Sequence, residues 1–376
     1  MTDAPAGSSQ LDRDFMAQAI ALAKSAGRQV RPNPPVGCVL VRNGEVIGRG
    51  AHLECGGPHA EVHALREAGV AARGSTAYVT LEPCAHYGRT PPCVEALIAA
   101  GVERVVIALR DPNPVAQGGI AKLHDAGIEV VSGVLADAAA EVTEVFLVNS
   151  EHNRPHVTLK MAASMDGFTA ASDGSSQWIT GELARQQVHR MRSEVDAVLV
   201  GSGTVLADNP RLVPYLIDSD FRALRVVFDR RLRLPIDSAL ADCSHAQTLV
   251  CTDAQCDPAR MQALIDRGVQ CWLSDEASLS ADAWLNAALT QLYRRGVCSI
   301  LCEGGATLAA ALLRNHLVDK IELFSAPILL GQGRALWPAL GIDSLSNAQP
   351  WRWGTARKLG ADIWMTARPS RRSLEM

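Results

Sequence analysis

A chain of 376 residues is too long for one ordinary core and comfortable for two. Charged residues at 20% against 48% hydrophobic place it among folded proteins, away from the disordered regime. A net charge of -4 supplies no basic field, which excludes counterion-driven binding to nucleic acid or to an anionic membrane and leaves a small molecule as the expected partner.

The start, Met1 to Gln10, lacks the basic residues and apolar stretch of a secretory signal, and no apolar run reaches spanning length. A cytoplasmic protein with a frayed N-terminal tail is expected. The ten cysteines are scattered through apolar strands, as at Cys38, Cys251, Cys271, Cys298 and Cys302, and read as reduced packing residues. Cys84 and Cys93 differ, because both sit in polar segments flanked by proline.

In chain order, Leu11, Phe15, Ala19, Ile20 and Ala23 recur at helical spacing over 11–26, with Gly27 as a stop. Strand-like runs at 36–41 and 46–48 flank Asn43-Gly44, a dipeptide suited to a two-residue hairpin. A helix over 59–68, a strand over 76–81, a helix over 93–100 ending at Gly101 and a strand over 104–109 follow. Strands alternating with helices predict a mostly parallel sheet covered on both faces. The polar stretch 149–155 reads as a connection, dividing the chain into a domain at 1–150 and another at 151–376. The second domain is again alternating, with strands near 156–162, 196–202, 224–229, 248–252, 269–273, 299–303 and 320–327, and helices at 182–192 and 258–267. Residues 368–376 are basic and polar and read as a solvated tail.

The chemistry concentrates in the first domain. Pro58-His59-Ala60-Glu61 opens a helix, Glu82-Pro83-Cys84 follows a strand, and Cys93 begins the next helix. One imidazole and two thiolates suit Zn2+ and leave a fourth tetrahedral position for water, the pattern of a catalytic site. Glu61, two residues from His59, is placed to move protons. The H-x-E then P-C-x-x-C pattern of zinc deaminases is departed from in its second half, where eight residues separate the cysteines. A helix-capping histidine with two unrelated loop cysteines would explain each piece alone; the joint arrangement favours the metal site. A structural zinc site would need a fourth ligand, for which Cys55 and His63 are the nearest candidates.

These segments, together with Arg31-Pro32-Asn33-Pro34-Pro35-Val36-Gly37, Gly88-Arg89-Thr90-Pro91-Pro92-Cys93, Leu159-Lys160-Met161-Ala162-Ala163-Ser164-Met165-Asp166-Gly167, Ser176-Gln177-Trp178-Ile179-Thr180, Gly203 to Pro210 and Glu303-Gly304-Gly305, resemble the bifunctional deaminase/reductase family of riboflavin biosynthesis. The resemblance spans nearly the whole chain. It implies a cytidine-deaminase-like α/β/α domain followed by a dihydrofolate-reductase-like α/β domain. The first would deaminate 2,5-diamino-6-(5-phosphoribosylamino)pyrimidin-4-one at C2, and the second would reduce the ribosyl group to ribityl with NADPH. By the same matching, Asn33 and His52 would line the pyrimidine pocket. Ala162, Trp178, Thr204, Asp208, Gly304, Gly305, Ala306, Thr307 and Leu308 would contact NADPH, and Lys160, Asp166, Ser176, Arg192, Leu212 and Glu303 would contact substrate.

Two positions depart from the family pattern. Tyr215 stands where a phosphate-binding arginine is expected, with Arg211 or Arg222 as substitutes, and Arg230 stands near the expected cofactor. A deaminase carrying an inactive reductase and a nucleic-acid-editing deaminase are the competing readings. The acidic balance argues against the second. The sequence leaves oligomeric state open, with a homo-oligomer as the working expectation.

Overall fold

The computed structural model describes residues 8–88, 91–216, 221–274, 279–338 and 340–370. The chain separates into two compact units, Met1–Asn153 and Arg154–Met376. Residues 1–7 and 371–376 of the expected tails, and Arg89 and Thr90 of the cysteine loop, lie outside the described residues.

The first unit runs α1 (Gln10–Ser25), β1 (Gly37–Arg42), β2 (Glu45–Ala51), α2 (Ala60–Ala68), β3 (Thr76–Leu81), α3 (Cys93–Ala100), β4 (Arg104–Leu109), α4 (Gly119–Asp125), β5 (Glu129–Ser132) and α5 (Ala136–His152). Ser9 opens α1 with a capping box, its hydroxyl accepting from the Asp12 N–H while the Asp12 carboxylate accepts from the Ser9 N–H. The hairpin turns at Asn43 and Gly44, with φ of 54° and 80°, the left-handed pair that a two-residue turn requires.

The sheet order is β2-β1-β3-β4-β5. Its β1–β2 and β1–β3 pairings are antiparallel, whereas β3–β4 and β4–β5 are parallel. The expected mostly parallel sheet is therefore a mixed one. After the hairpin reverses the chain, β3 is reached from β2 through α2, so it runs against β1. Apolar residues of α1, among them Met16, Ala19 and Ile20, cover one face, and Ala60 and Ala64 of α2 with Val94 and Leu97 of α3 cover the other. Gly50 on β2 lies so close to the Ala60 carbonyl that a side chain there would collide with it. That contact seats the start of α2 directly on the sheet.

Asp12 joins α1 to the sheet. Its carboxylate, 2% exposed as a residue, accepts from the Tyr78 hydroxyl at 2.9 Å and from Arg104 Nη1 at 2.6 Å. Burial pushes its pKa up, but Arg104, Ser9 and Tyr78 outweigh that and hold it well below the usual carboxylate range. A depressed folded-state pKa means that the stabilisation is present above the unfolded pKa of about 4 and is lost as pH falls. Asp12→Asn, which leaves Arg104 without its buried partner, is expected to destabilise the first unit by about 3 kcal/mol near neutral pH. In urea melts, the gap from wild type should narrow as pH is lowered toward about 3.

The second unit runs β6 (His156–Ser164), β7 (Phe168–Ala171), α6 (Glu182–Glu194), β8 (Ala197–Gly201), α7 (Ser202–Asp208), β9 (Leu224–Phe228), β10 (Thr248–Asp253), α8 (Pro258–Ile265), β11 (Gln270–Ser274), α9 (Ala281–Arg294), β12 (Ser299–Cys302), α10 (Ala306–Arg314), β13 (Lys320–Ala326), β14 (Gly333–Ala335), β15 (Trp351–Leu359) and β16 (Asp362–Pro369). The main sheet is β11-β10-β9-β8-β12-β6-β13-β16-β15. It is parallel from β11 through β13, and β16 and β15 add antiparallel at the far edge. Residues of α9 and α10, including Leu285, Leu289, Leu312 and Leu313, pack on one face. Residues of α6, α7 and α8, including Val188, Val205 and Leu264, pack on the other.

Two local expectations are corrected. The polar stretch at 149–155 is largely helix: α5 continues through His152 and is closed by Asn153 in the left-handed region at φ 52°. Arg368 and Pro369 belong to β16, so the tail expected from residue 368 begins later. None of the ten cysteines forms a disulfide. No helix among the described residues is long and apolar enough to cross a membrane.

Candidate active sites

Element ends deliver the donors in the first unit. His59 is the N-cap residue of α2, Cys84 follows β3 by three residues, and Cys93 is the first residue of α3. Their ligand atoms lie within 4.8 Å of one another. His59 Nδ1 is 3.1 Å from Cys93 Sγ and 3.6 Å from Cys84 Sγ, a spread that one tetrahedral ion with bonds of about 2.0–2.3 Å spans. The hydrogen bond from Cys93 draws the Cys84 thiol well below its ordinary pKa, and the Cys93 backbone N–H also donates to its sulfur, at 3.4 Å. A sulfur favoured as thiolate, a second at a helix N-terminus and an imidazole form a donor set that fits zinc. Cys55 and His63 are not part of this group among the described residues.

Glu61 is the second residue of α2 and 3% exposed. Burial raises its pKa above the ordinary glutamate value, which suits a group that must both take and return a proton. It lines a cavity of about 350 Å3 together with His59, Cys84, Asn33 and His52. His52 is buried, and burial lowers its pKa. In the neutral ring, Nδ1–H donates to the Pro58 carbonyl at 3.0 Å and Nε2 accepts from the Asn33 amide N–H at 3.0 Å. This turns the Asn33 amide oxygen into its remaining acceptor, suited to an amino or ring N–H.

Sequence reasoning missed three polar residues that also line the cavity, His86, Asp111 and Asn113. Asp111 and Asn113 follow β4 in an Asp-Pro-Asn-Pro segment, a turn-rich signal after a parallel strand. Placement beyond the carboxyl end of β4 could have marked them, since ligands of open α/β sheets bind there.

In the second unit the carboxyl ends of β8 and β12 lie side by side. The helices that follow go to opposite faces, with Val205 of α7 packing beside Val198 and Val200, and Leu312 of α10 packing beside Leu199. Neighbouring parallel strands whose helices diverge open a crevice at their carboxyl ends, the usual position of a dinucleotide in an open sheet. Gly304, Gly305, Ala306, Thr307 and Leu308 form the turn into α10 at this point. Gly305 N–H donates to Thr204 Oγ1 at 2.8 Å, tying the two helix starts together. A Cβ on Gly304 would press on Leu308 and the Gly201 backbone. Ala162 is on β6, Asp208 ends α7 and is exposed, and Ser176 and Trp178 lie in the segment after β7. Trp178 is 66% exposed, with the Arg185 guanidinium 4.8 Å over its ring.

Beside the crevice, Arg192 of α6 makes a bidentate pair with Glu303, at 2.6 and 2.9 Å, and donates to the Val213 carbonyl at 3.3 Å. Lys160 on β6 joins them; burial lowers its pKa and Glu303 partly offsets that. The other positions are placed differently from a side-chain role. Leu212 is 3% exposed and belongs to the core, which leaves only its backbone for a ligand. The Asp166 carboxylate accepts from Ser164 Oγ, Leu330 N–H and Gly331 N–H, and so fastens a loop. Arg230 pairs with Asp253 at 2.8 Å and donates to the Leu279 carbonyl, Arg222 donates to the Phe221 carbonyl, and Arg211 is exposed. Tyr215 is held by its N–H to His189 Nδ1 at 3.1 Å, with its ring edge-on to the imidazole.

A His-Cys-Cys donor set with a buried glutamate on a mixed five-stranded sheet defines a zinc-dependent deaminase of the cytidine deaminase class, here joined in one chain to a reductase. A family model for the cytidine and deoxycytidylate deaminase zinc-binding region matches residues 9–109, and one for the RibD C-terminal domain matches residues 155–363. The chain is 40% identical over 359 residues to the riboflavin biosynthesis protein RibD of Escherichia coli (strain K12), covering 94% of this chain and 98% of that one. It is 38% identical to the RibD of Aquifex aeolicus (strain VF5), covering 94% and 97%. Among solved structures, Acinetobacter baumannii RibD, form 1, matches with a TM-score of 0.80 at 40% identity, covering 96% of this chain and 99% of that one. A diaminohydroxyphosphoribosylaminopyrimidine deaminase/5-amino-6-(5-phosphoribosylamino)uracil reductase from Thermotoga maritima matches with a TM-score of 0.79 at 35% identity, covering 96% and 99%. The chain belongs to the RibD family of bifunctional riboflavin-biosynthesis enzymes, with a zinc-binding deaminase domain and a reductase domain.

Proposed function

We propose that the first unit hydrolyses the C2 amino group of 2,5-diamino-6-(5-phosphoribosylamino)pyrimidin-4-one, releasing ammonia, and that the second reduces the ribosyl group of the product to ribityl with NADPH. The observation that carries this reading is the grouping of His59, Cys84 and Cys93 beside buried Glu61 in a cavity that Asn33 and His52 also line. His59, Cys84 and Cys93 would hold zinc, which would supply the Lewis acidity that makes the attacking water acidic near neutral pH. Glu61 takes a proton from the attacking water on its carboxylate and returns it to the departing amine. Asn33, oriented by neutral His52, holds the pyrimidine edge so that its amino-bearing carbon faces Glu61.

For the second step, the Gly304 to Leu308 turn, Thr204 and Ala162 cradle the nucleotide, and Trp178 and Asp208 border it. NADPH held there would supply a hydride for C1' of the ribose, with the C1'–O4' bond opening and O4' taking a proton to give the ribityl chain. Arg192 turns its remaining guanidinium N–H groups and its charge to the substrate phosphate, while Glu303 takes its Nε and Nη2 and fixes its orientation. Lys160 places a third charged group beside that pair, and Ser176 lies in the neighbouring loop. Oxidation of NADPH by the deaminated intermediate, with little oxidation of NADH, is the expected outcome in a spectrophotometric assay. Ammonia release without any cofactor oxidation would leave the reductase half of the reading without support.

A further inference from the structure

Glu82 is a buried carboxylate, 7% exposed, that directly follows β3 and stands two residues before the donor Cys84. Its two oxygens accept from two other segments: Oε1 from the Ile120 N–H at 3.1 Å and Oε2 from the Asp111 N–H at 3.4 Å. Ile120 lies in the first turn of α4, whose N-cap position is Gly118, with no side-chain cap of its own. Glu82 thus provides, from across the sheet, the acceptor and negative charge that a helix start ordinarily receives locally.

The same junction is closed from both sides. Gly119 packs against the Pro83 carbonyl so tightly that any side chain there would collide with it. Lys122 Nζ donates to the Ala85 carbonyl at 2.7 Å. The segment that presents Cys84 is therefore stitched to α4 on either side of the donor. Beyond Asp111, the chain folds on itself: Asp111 Oδ1 accepts from Asn113 N–H at 2.9 Å, and the Gln117 amide donates to the Asp111 carbonyl at 3.0 Å. Asp111 and Asn113 emerge as polar groups on the cavity wall.

We propose that Glu82 is a positioning residue for the deamination step, setting the Asp111–Asn113 wall at a fixed distance from the metal donor Cys84 and so fixing where substrate sits relative to Glu61. This rests on the deaminase reading given above. The junction acts on substrate placement, because neither oxygen of Glu82 is hydrogen-bonded to a zinc donor. Loss of the junction loosens the wall and weakens substrate binding while the metal and proton carrier stay in place.

The test uses the full-length zinc-loaded enzyme and its Glu82→Gln and Glu82→Ala variants, measuring zinc per chain, thermal midpoint, and kcat and KM for ammonia release. In Glu82→Gln the amide oxygen still caps α4, but an NH2 now meets the Asp111 N–H. KM is expected to rise about 10-fold with kcat within about threefold and zinc stoichiometric, and Glu82→Ala is expected to raise KM further. An unchanged KM in folded, zinc-loaded Glu82→Gln overturns the proposal, as does a loss of zinc or a fall in kcat alone. If Glu82→Ala does not fold, the isosteric variant still decides. Absence of ammonia release by the wild-type enzyme would sink the deaminase reading itself, an outcome distinct from any of these.

Discussion

Glu61→Gln is expected to retain zinc and to lose deamination by about 10^3-fold, while NADPH oxidation with separately prepared deaminated intermediate stays at the wild-type rate. The substitution preserves the shape of a buried side chain and removes only its ability to carry a proton. Zinc is held by His59, Cys84 and Cys93, none of which changes, so metal content should not move. The water nucleophile would then have no group to receive its proton, and the amine would depart without being protonated. Metal analysis with an ammonia assay checks both parts. A fully active variant would refute the role given to Glu61, and a metal-free one would show that the carboxylate belongs to the donor set.

The second large effect is expected at Arg192. Its guanidinium and the Glu303 carboxylate are 13% and 9% exposed, a nearly desolvated pair. Arg192→Met removes the cation proposed to meet the substrate phosphate and leaves Glu303 buried beside Lys160, at a cost of about 3–5 kcal/mol in stability. NADPH oxidation should fall about 100-fold or more, mainly through a higher KM for the phosphorylated intermediate. Arg192→Lys should restore charge without the two-pronged geometry and recover only part of the loss. Deamination of the first substrate, assayed on the same preparations, should be unaffected. Unchanged KM in Arg192→Met would remove the residue from substrate binding.

Much of this architecture is written in local punctuation. The bounds of β3, α3 and β4 are expected at 76–81, 93–100 and 104–109 because Gly74, the Pro91-Pro92 pair and Gly101 break the pattern where the elements end, and the structure has those limits. The C-terminal hairpin of β15 and β16 left no such trace. Seven of the nine residues of β15 are exposed, so no buried face imposes alternation on its sequence. The stretch 149–155 reads as a connection for a related reason: Asn149 to His152 are polar, and polarity alone does not distinguish a loop from the end of a helix.

The same division holds in the sites. His59, Glu61, Cys84 and Cys93 were legible because each stands at a helix start or strand end and its side chain has few other uses. Glu82 and Asp111 are not, since Glu82 accepts from the backbone N–H groups of Asp111 and Ile120, 29 and 38 residues away in sequence, and no periodicity encodes that. Leu212 and Asp166 are expected to contact substrate by resemblance of position; the structure adds that the Leu212 side chain packs in a core and the Asp166 carboxylate fastens a loop, neither of which a sequence pattern encodes.

The central claim is that one chain carries out two successive reactions on one substrate. Mass spectrometry of the zinc-loaded enzyme mixed with 2,5-diamino-6-(5-phosphoribosylamino)pyrimidin-4-one and NADPH tests it most directly. The expected order is first a species in which oxygen has replaced an NH group, with ammonia released in equal amount, and then a species with two added hydrogens that appears only when NADPH is present. Reduction of the undeaminated substrate ahead of ammonia release, or no change in the substrate at all, would contradict it.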